Sequence, residues 1–166
     1  MLTNIYLDSQ KKETYMDDFI NLLDCKMEFW MLDDNLTDVL TNINKNQYIQ
    51  TLYSKRNNLN SSDSEESYLK FCYHQALELP LFGFVLRDLV LNFNRKPETI
   101  LYYDFSHPRE NLNYSENTTK LGLGCTDNQN YFYINHISIF LESTDLNVHN
   151  DFWKELEHKL TTIKPA

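Results

Sequence analysis

The stretch YFYINHISIFL, residues 131–141, carries the strongest strand signal in the chain. Aromatic and β-branched side chains fill it, and both alternating sets are mostly apolar, which predicts a central rather than an edge strand. A second stretch of this kind, Thr99–Phe105, precedes it. Between the two, the sequence predicts a polar loop over Ser106–Thr119, a short strand over Lys120–Cys125 and a turn over Asp127–Asn130. Together these segments predict a small antiparallel sheet of about three or more strands in the C-terminal half.

Ahead of this sheet the apolar residues recur every three or four positions, which is typical of helices. The clearest predicted helix is Lys12–Leu32. Its apolar side chains share one face: Tyr15, Phe19, Leu22, Leu23, Met27 and Trp30. Further helices are predicted after Asn35, over Gln47–Lys55, and beyond a capping box formed by Ser62 and Glu65. Their buried stripes are predicted to be Leu36, Val39, Leu40 and Ile43; then Tyr48, Ile49, Leu52 and Tyr53; then Leu69, Cys72, Tyr73, Ala76 and Leu77.

Two more helices complete the predicted fold. Pro80 suits the first turn of a helix, where its missing N–H is not needed, and that helix should run to Phe93. A last helix should be capped by Asn150 or a neighbour. Its buried stripe is predicted to be Trp153, Leu156 and Leu160. No repeat or break in composition divides the chain, so we expect one α+β domain over residues 1–166, with a helical N-terminal half, the sheet, and a closing C-terminal helix.

Composition restricts the class of protein. The 166 residues include 24 acidic and 15 basic side chains, for a net charge of −9, and 42% of them are hydrophobic. The apolar content supports a folded core, whereas the negative charge opposes direct binding to nucleic acid or to anionic membranes. Three widely spaced cysteines form no disulfide framework, and the first residues lack the pattern of a secretory signal. We therefore expect a cytoplasmic protein.

The sequence contains no motif that by itself indicates catalysis or a cofactor site. It has no Gly-x-Ser-x-Gly sequence, no long glycine-rich phosphate loop and no His-x-x-x-His pair. His136 lies in the strand pattern, where a core histidine bonded to a neighbour explains it better than a general base does. A hydrolase whose site is assembled from Asp104, His107, His136 and Glu142 stays an alternative. Otherwise we expect no enzyme, no cofactor and no metal.

Acidic residues are concentrated on and just after the first predicted helix. Eight of them stand between residues 13 and 38 with a single base, Lys26, which gives this segment a net charge of −7. They are Glu13, Asp17, Asp18, Asp24, Glu28, Asp33, Asp34 and Asp38. Four of them, Glu13, Asp17, Asp24 and Glu28, lie opposite the apolar stripe of the first helix, where like charges four residues apart repel and lower helix stability. One explanation is a solvated face that keeps the protein soluble, and the other is a docking surface for a basic partner.

The docking explanation leads to a functional prediction. Toxins that cut nucleic acid carry cationic active sites, and their inhibitors are often small, acidic, cytoplasmic proteins without catalytic motifs. The chain is similar to that class in size, charge and expected compartment. We therefore predict an immunity protein or antitoxin that occludes a basic, nuclease-type bacterial toxin domain through these eight acidic residues. An acidic adaptor or effector that binds a regulatory protein is the alternative, ahead of the hydrolase.

Overall fold

The computed structural model describes residues 6–24, 34–55, 66–106 and 134–166, which form four helices and four strands. In chain order these are α1 (Ser9–Asp24), α2 (Asp34–Asn44), β1 (Ile49–Lys55), β2 (Glu66–Tyr73), α3 (Leu79–Phe93), β3 (Thr99–Ser106), β4 (His136–Ser143) and α4 (Leu146–Thr162). The strands form one antiparallel sheet in the order β1-β2-β4-β3. The predicted α+β class is confirmed, with helices in the N-terminal half and a helix at the C-terminal end.

The strand β4 lies inside the sheet, between β2 and β3, so its predicted central position is confirmed. Its residues Ile137, Ile139 and Leu141 point to one face and are at most 1% exposed. The predicted strand Thr99–Phe105 is also confirmed, and β3 extends it by one residue. The predicted loop from residue 107 onward, the strand over residues 120–125 and the turn over residues 127–130 lie outside the described residues.

The segment predicted as a helix over residues 47–55 contains strand β1 instead. Ile49 packs in the main core, whereas Leu52 packs against a cluster on the opposite face of the sheet. The pairing of β1 with β2 shifts register between Thr51 and Tyr53. Residues three positions apart in a strand point to opposite faces, so apolar side chains on both faces of β1 produce a spacing of three that resembles a helical turn.

Strand β2 replaces another predicted helix. Its residues Leu69, Phe71 and Tyr73 belong to the main core, while Cys72 belongs to the cluster on the opposite face. Cys72 and Tyr73, which the helical spacing placed on one stripe, therefore point in opposite directions. The pairing with β1 and β4 satisfies the backbone on both sides of β2, and this tertiary pairing outweighs the local spacing. The predicted capping box lies outside the described residues.

Helix α1 begins at Ser9, three residues earlier than predicted, because Asp8 caps it. Asp8 Oδ1 accepts a hydrogen bond from the Lys11 backbone N at 2.8 Å, and Oδ2 accepts one from Lys11 Nζ at 3.0 Å. Burial alone would raise the pKa of the Asp8 carboxyl, but these hydrogen bonds and the Lys11 charge outweigh burial and hold it below its ordinary value. Residues 25–32 of the predicted helix lie outside the described residues.

Helices α3 and α4 differ in how closely their first residues match the sequence prediction. Helix α3 starts with Pro80 in its first turn and ends at Phe93, as predicted. Helix α4 begins at Leu146, well before the predicted cap at Asn150. The capping residue is Asp145, whose side chain accepts a hydrogen bond from the Asn147 backbone N at 2.9 Å. The predicted stripe of α4 is buried: Trp153, Leu156 and Leu160 are at most 2% exposed.

The main core lies on one face of the sheet, called the inner face here. Helices α2, α3 and α4 all contribute buried apolar residues to it. Helix α1 contributes Phe19 to this core and Tyr15 to a second cluster with Leu7, Cys72 and Ile134 on the other face, called the outer face. Helix α1 therefore covers the end of the outer face beside Cys72. Further along that face the side chains reach solvent.

Candidate functional site

Two of the predicted acidic residues lie on the exposed side of α1. Glu13 and Asp17 are exposed, whereas Tyr15 and Phe19 on the opposite side are only 2% and 4% exposed. Asp18 lies beside this strip and is half-buried. The described part of α1 thus has the amphipathic arrangement that the spacing predicts.

Helix α2 adds one more exposed acid, Asp38, on the side opposite the buried Leu36 and Leu40. The remaining four predicted acids have side chains outside the described part of the chain: Asp24, Glu28, Asp33 and Asp34. We call Glu13, Asp17 and Asp38 the helical acids. The docking role predicted for all eight residues stays a prediction.

The helical acids are not neutralised by the part of the protein that the structure describes. No lysine, arginine or histidine nitrogen of those residues lies within 4.0 Å of the carboxylates of Glu13, Asp17 or Asp38. Lys11, in the same helix, is instead paired with Asp8. Exposed charges of one sign without internal partners project a potential into solvent, which accelerates encounters with molecules of opposite charge.

Lys12, another cation close to the helical acids in sequence, is directed into the fold. Its ammonium donates hydrogen bonds to Asn44 O, Ile49 O and Gln50 Oε1, all within 2.9 Å. These bonds join α1 to the end of α2 and the start of β1. Burial lowers the pKa of Lys12 to about 8 from its ordinary 10.5. Lys12 therefore fixes the position of α1 and is not a surface cation.

Cys72 lies beside Lys12 under α1 and is fully buried. Its thiol donates to Gln50 O at 3.6 Å, and burial raises its pKa to about 12 from 9.0. A reactive cysteine needs an exposed position and a lowered pKa. Cys72 has neither property, which agrees with its interpretation as a packing residue.

The residues predicted for the alternative hydrolase site are not assembled by the sheet. On β4, His136 and Glu142 are six residues apart, a separation of roughly 20 Å along an extended strand. Asp104 pairs in register with Ser138, between these two positions, and is exposed. His136 is 2% exposed, and its Nδ1 lies 3.1 Å from Ile134 O, as expected for a core histidine. His107 lies outside the described residues.

A serine–histidine pair that the sequence analysis missed lies inside the fold. His149 of α4 has its Nδ1 2.7 Å from Ser67 Oγ of β2 and its Nε2 2.8 Å from Ser143 O. A carbonyl oxygen can only accept, so Nε2 carries a hydrogen, and in the neutral ring Nδ1 accepts from the Ser67 hydroxyl. A serine nucleophile and its base have this geometry. Both side chains are 0% exposed, however, so the pair connects α4 to the sheet and cannot meet a substrate in this fold.

The outer face of the sheet presents a row of aromatic side chains that the sequence analysis also missed. The register places Tyr68, Phe140 and Tyr102 side by side on β2, β4 and β3. The Tyr102 and Phe140 rings are stacked, with centroids 5.0 Å apart and planes 20° apart. The Tyr68 and Phe140 centroids are 6.1 Å apart. Tyr102 is 43% exposed, so this row reaches solvent.

Carboxylates surround the solvent end of this row. Partial desolvation and then the negative charges of Glu66, Glu142 and Asp104 raise the pKa of the Tyr102 hydroxyl above its ordinary value. Glu142 and Asp104 are exposed. The outer face therefore combines flat aromatic rings with negative charge. Once the strands are paired correctly, every second residue along each strand lies on this face, and that pattern is the sequence signal for the aromatic row.

An open groove of about 660 Å³ lies between the ends of α2 and α4. Polar side chains line most of it, including Lys45, Glu157 and Lys164. Asn46, also in its lining, donates from Nδ2 to Leu160 O and Ile163 O, each at 2.8 Å. The Asn46 side chain therefore satisfies backbone carbonyls at the end of α4. The residues that line the groove include no set of side chains arranged for catalysis.

Comparison with known proteins assigns no relative, because no protein-family model, curated protein or solved structure matches this chain. In the described parts of the chain, no three histidine, cysteine or acidic side chains are grouped so that they could hold a metal ion. None of the four described helices has the length and apolar character needed to span a membrane. The exposed acidic and aromatic surfaces are therefore the features on which a functional proposal can rest.

Proposed function

We propose that this protein is an inhibitor that binds and neutralises a basic protein, as immunity proteins and antitoxins do. The observation that supports the proposal is the exposed position of the helical acids Glu13, Asp17 and Asp38, opposite buried stripes and without a cationic partner among the described residues. A nuclease-type toxin domain is the expected partner, because its active site must attract phosphate and is therefore cationic.

The arrangement of these charges favours a role in association. Glu13 and Asp17 are four residues apart on α1, and such a like-charge pair destabilises an isolated helix by about 0.2–0.5 kcal/mol. A face selected for stability alone would alternate signs. A face that meets a basic partner instead gains in association rate and rejects other acidic proteins. The loss of a few tenths of a kcal/mol in helix stability leaves the fold intact, whereas the same charges increase the association rate with a basic partner.

The first experiment identifies the partner. The tagged chain is purified from its native cell, and the protein recovered with it in a one-to-one ratio is identified and expressed alone. We expect expression of that protein to be toxic and co-expression of this chain to restore growth. A stoichiometric partner that is not toxic would favour the adaptor alternative, and no stoichiometric partner would contradict the proposal.

The second experiment locates the interface. In one variant the helical acids are reversed together (Glu13→Lys, Asp17→Lys, Asp38→Lys), and association with the identified partner is measured by stopped flow. We expect the association rate to fall about tenfold at low salt, and the difference from wild type to shrink as salt screens the charges.

A matched variant separates local from overall charge. The reversals Asp88→Lys, Asp151→Lys and Glu155→Lys change the net charge by the same amount at exposed positions on α3 and α4. We expect this control to change the rate less than threefold, and both variants to melt close to wild type. Equal effects of the two variants would show that only net charge matters, and the helical acids would not be the interface.

A further inference from the structure

Part of the outer face, formed by β3 and the end of β4 around Phe140 and Glu142, is open to solvent and combines apolar and acidic side chains. Ile100 and Tyr102 on β3 are 55% and 43% exposed, and the Phe140 ring of β4 is stacked on Tyr102. Asp104 and Glu142 lie on the same face, because they are two residues from Tyr102 and Phe140 along their strands. We call these five residues the aromatic–acidic patch.

The aromatic row already holds a cation within the molecule. The Lys70 ammonium lies 5.8 Å from the centroid of the Tyr68 ring and 5.9 Å from that of Phe140. An ammonium or guanidinium within about 6 Å of a ring centroid is attracted by the negative face of the ring. The Tyr102 ring, at the other end of the row, has carboxylates on both sides and no lysine or arginine above it among the described residues.

Charge restricts what can cover this patch. In the described residues, no cationic nitrogen lies within 4.0 Å of Asp104 or Glu142. A purely apolar partner would bury these two carboxylates without compensation, which is unfavourable. Nucleic acid would place phosphates against them. A planar cation fits both properties, because a guanidinium stacks on an aromatic ring and also binds a carboxylate through two parallel hydrogen bonds.

We infer that the aromatic–acidic patch docks an arginine-bearing segment of the partner protein, with a guanidinium over the Tyr102 ring and paired with Glu142 or Asp104. The inference rests on the proposed function in requiring a basic protein partner, but it concerns a surface separate from the helical acids. Binding would then combine long-range attraction by the helices with a specific contact on the sheet.

The test uses the full chain and a defined probe. The probe is a nine-residue peptide of alternating glycine and arginine, blocked at both ends, and it is titrated into the isotope-labelled protein by NMR. The same peptide with citrulline, which has nearly the same shape as arginine without the charge, is the first control, and the lysine peptide is the second. We expect backbone amides at residues 100–104 and 140–142 to shift, with the arginine peptide binding at least threefold more tightly than the lysine peptide and the citrulline peptide not binding.

Surface variants assign the binding to this patch. We expect Tyr102→Leu, which keeps an apolar side chain but removes the ring, and Glu142→Gln, which removes one charge, each to weaken binding of the arginine peptide three- to tenfold. Asp151→Asn removes a charge from an exposed position on α4 and should change the affinity less than twofold. All three side chains are exposed or largely so, and unchanged spectra without peptide would show that the variants fold.

Several results would overturn the inference. If shifts appear only on α1 and α2 and Tyr102→Leu binds normally, the sheet is not the contact, although the proposed function could still hold. A dimer that dissociates on Tyr102→Leu, or contacts between this patch and residues 107–133 of the same chain, would show that the protein itself covers the surface. The proposed function fails separately, if no toxic stoichiometric partner is recovered from the native cell.

Discussion

Raising the pH above 8 should change the free energy of unfolding in a pattern that Lys12 and Cys72 determine together. Burial lowers the pKa of Lys12 to about 8, whereas the unfolded chain keeps its ordinary value of 10.5. Between these pH values the unfolded chain holds a proton that the folded chain has released, so stability rises with pH. Burial has the opposite consequence for Cys72, whose pKa is about 12 in the fold and 9.0 in the unfolded chain, so the Cys72 contribution to stability falls from about pH 9 upward.

The size of each change in the free energy of unfolding follows from the one proton by which the folded and unfolded chains differ at each group. A single proton difference changes the free energy of unfolding by about 1.4 kcal/mol for each pH unit. Between pH 8 and 9 we therefore expect Lys12 to add about 1 kcal/mol and Cys72, which begins to ionise in the unfolded chain, to subtract about 0.4 kcal/mol, for a net rise of about 0.6 kcal/mol. Between pH 9 and 10 the Lys12 and Cys72 effects nearly cancel. Above pH 10 stability falls, because burial also raises the pKa of Tyr73 to about 12 and the Lys12 effect ends near pH 10.5.

The assay is urea-induced unfolding followed by circular dichroism at half-unit steps from pH 7.5 to 11. Two variants separate the groups. Lys12→Met removes the ammonium while keeping an unbranched stem, and it should abolish the rise between pH 8 and 9 whatever its overall stability. Cys72→Ala should extend the rise to about pH 10. The reasoning is refuted if wild-type stability falls between pH 8 and 9, or if Lys12→Met shows the same rise as wild type.

Three further predictions concern stability in the same urea assay at neutral pH. Ser67→Ala removes the donor to the buried His149 Nδ1 and should cost about 1–3 kcal/mol; a neutral result would mean that this hydrogen bond is replaceable. Asp145→Ala removes the cap that bonds the Asn147 amide and should cost about 1 kcal/mol, with Asp145→Asn much closer to wild type; equal losses in both would indicate that charge, not capping, matters. Phe71→Ala empties a position with 0% exposure in the main core and should cost about 3–5 kcal/mol, while a loss below 1 kcal/mol would contradict its central placement.

Helices and strands that are marked by residues within their own segment could be predicted from the sequence. Pro80 marks the start of α3 because the constraint on a proline acts within one turn, and the helix does run to Phe93. The apolar run in β4 predicts a strand with neighbours on both edges, and β4 does lie between β2 and β3. The start of helix α4 could not be predicted from local signals, because Asp145 and Asn150 are both residue types that cap helices. Val148 and His149 are buried in the fold, and this packing places the start of the helix at Leu146.

The misassigned strands show where local reasoning fails. In β1, Ile49 and Leu52 have helical spacing, but residues three positions apart in a strand point to opposite faces of the sheet, where each of these two meets an apolar cluster. Within a single segment, an apolar spacing of three does not distinguish a helix from a strand that carries apolar side chains on both faces. The distinction depends on the partner strand, β2, and therefore on residues about twenty positions away.

The same dependence explains why only part of the candidate site was predictable. Exposure of Glu13, Asp17 and Asp38 follows from helical spacing within one element, and the prediction of which side faces solvent needed no tertiary information. The aromatic–acidic patch exists only because the register places Phe140 beside Tyr102 and Glu142 beside Ile100. Misreading β2 as a helix also removed Tyr68 from this face, and with it the sign that aromatic rings form a row across three strands. A docking surface on a helix can thus be inferred from one segment, whereas one on a sheet becomes visible only when the strand pairing is known.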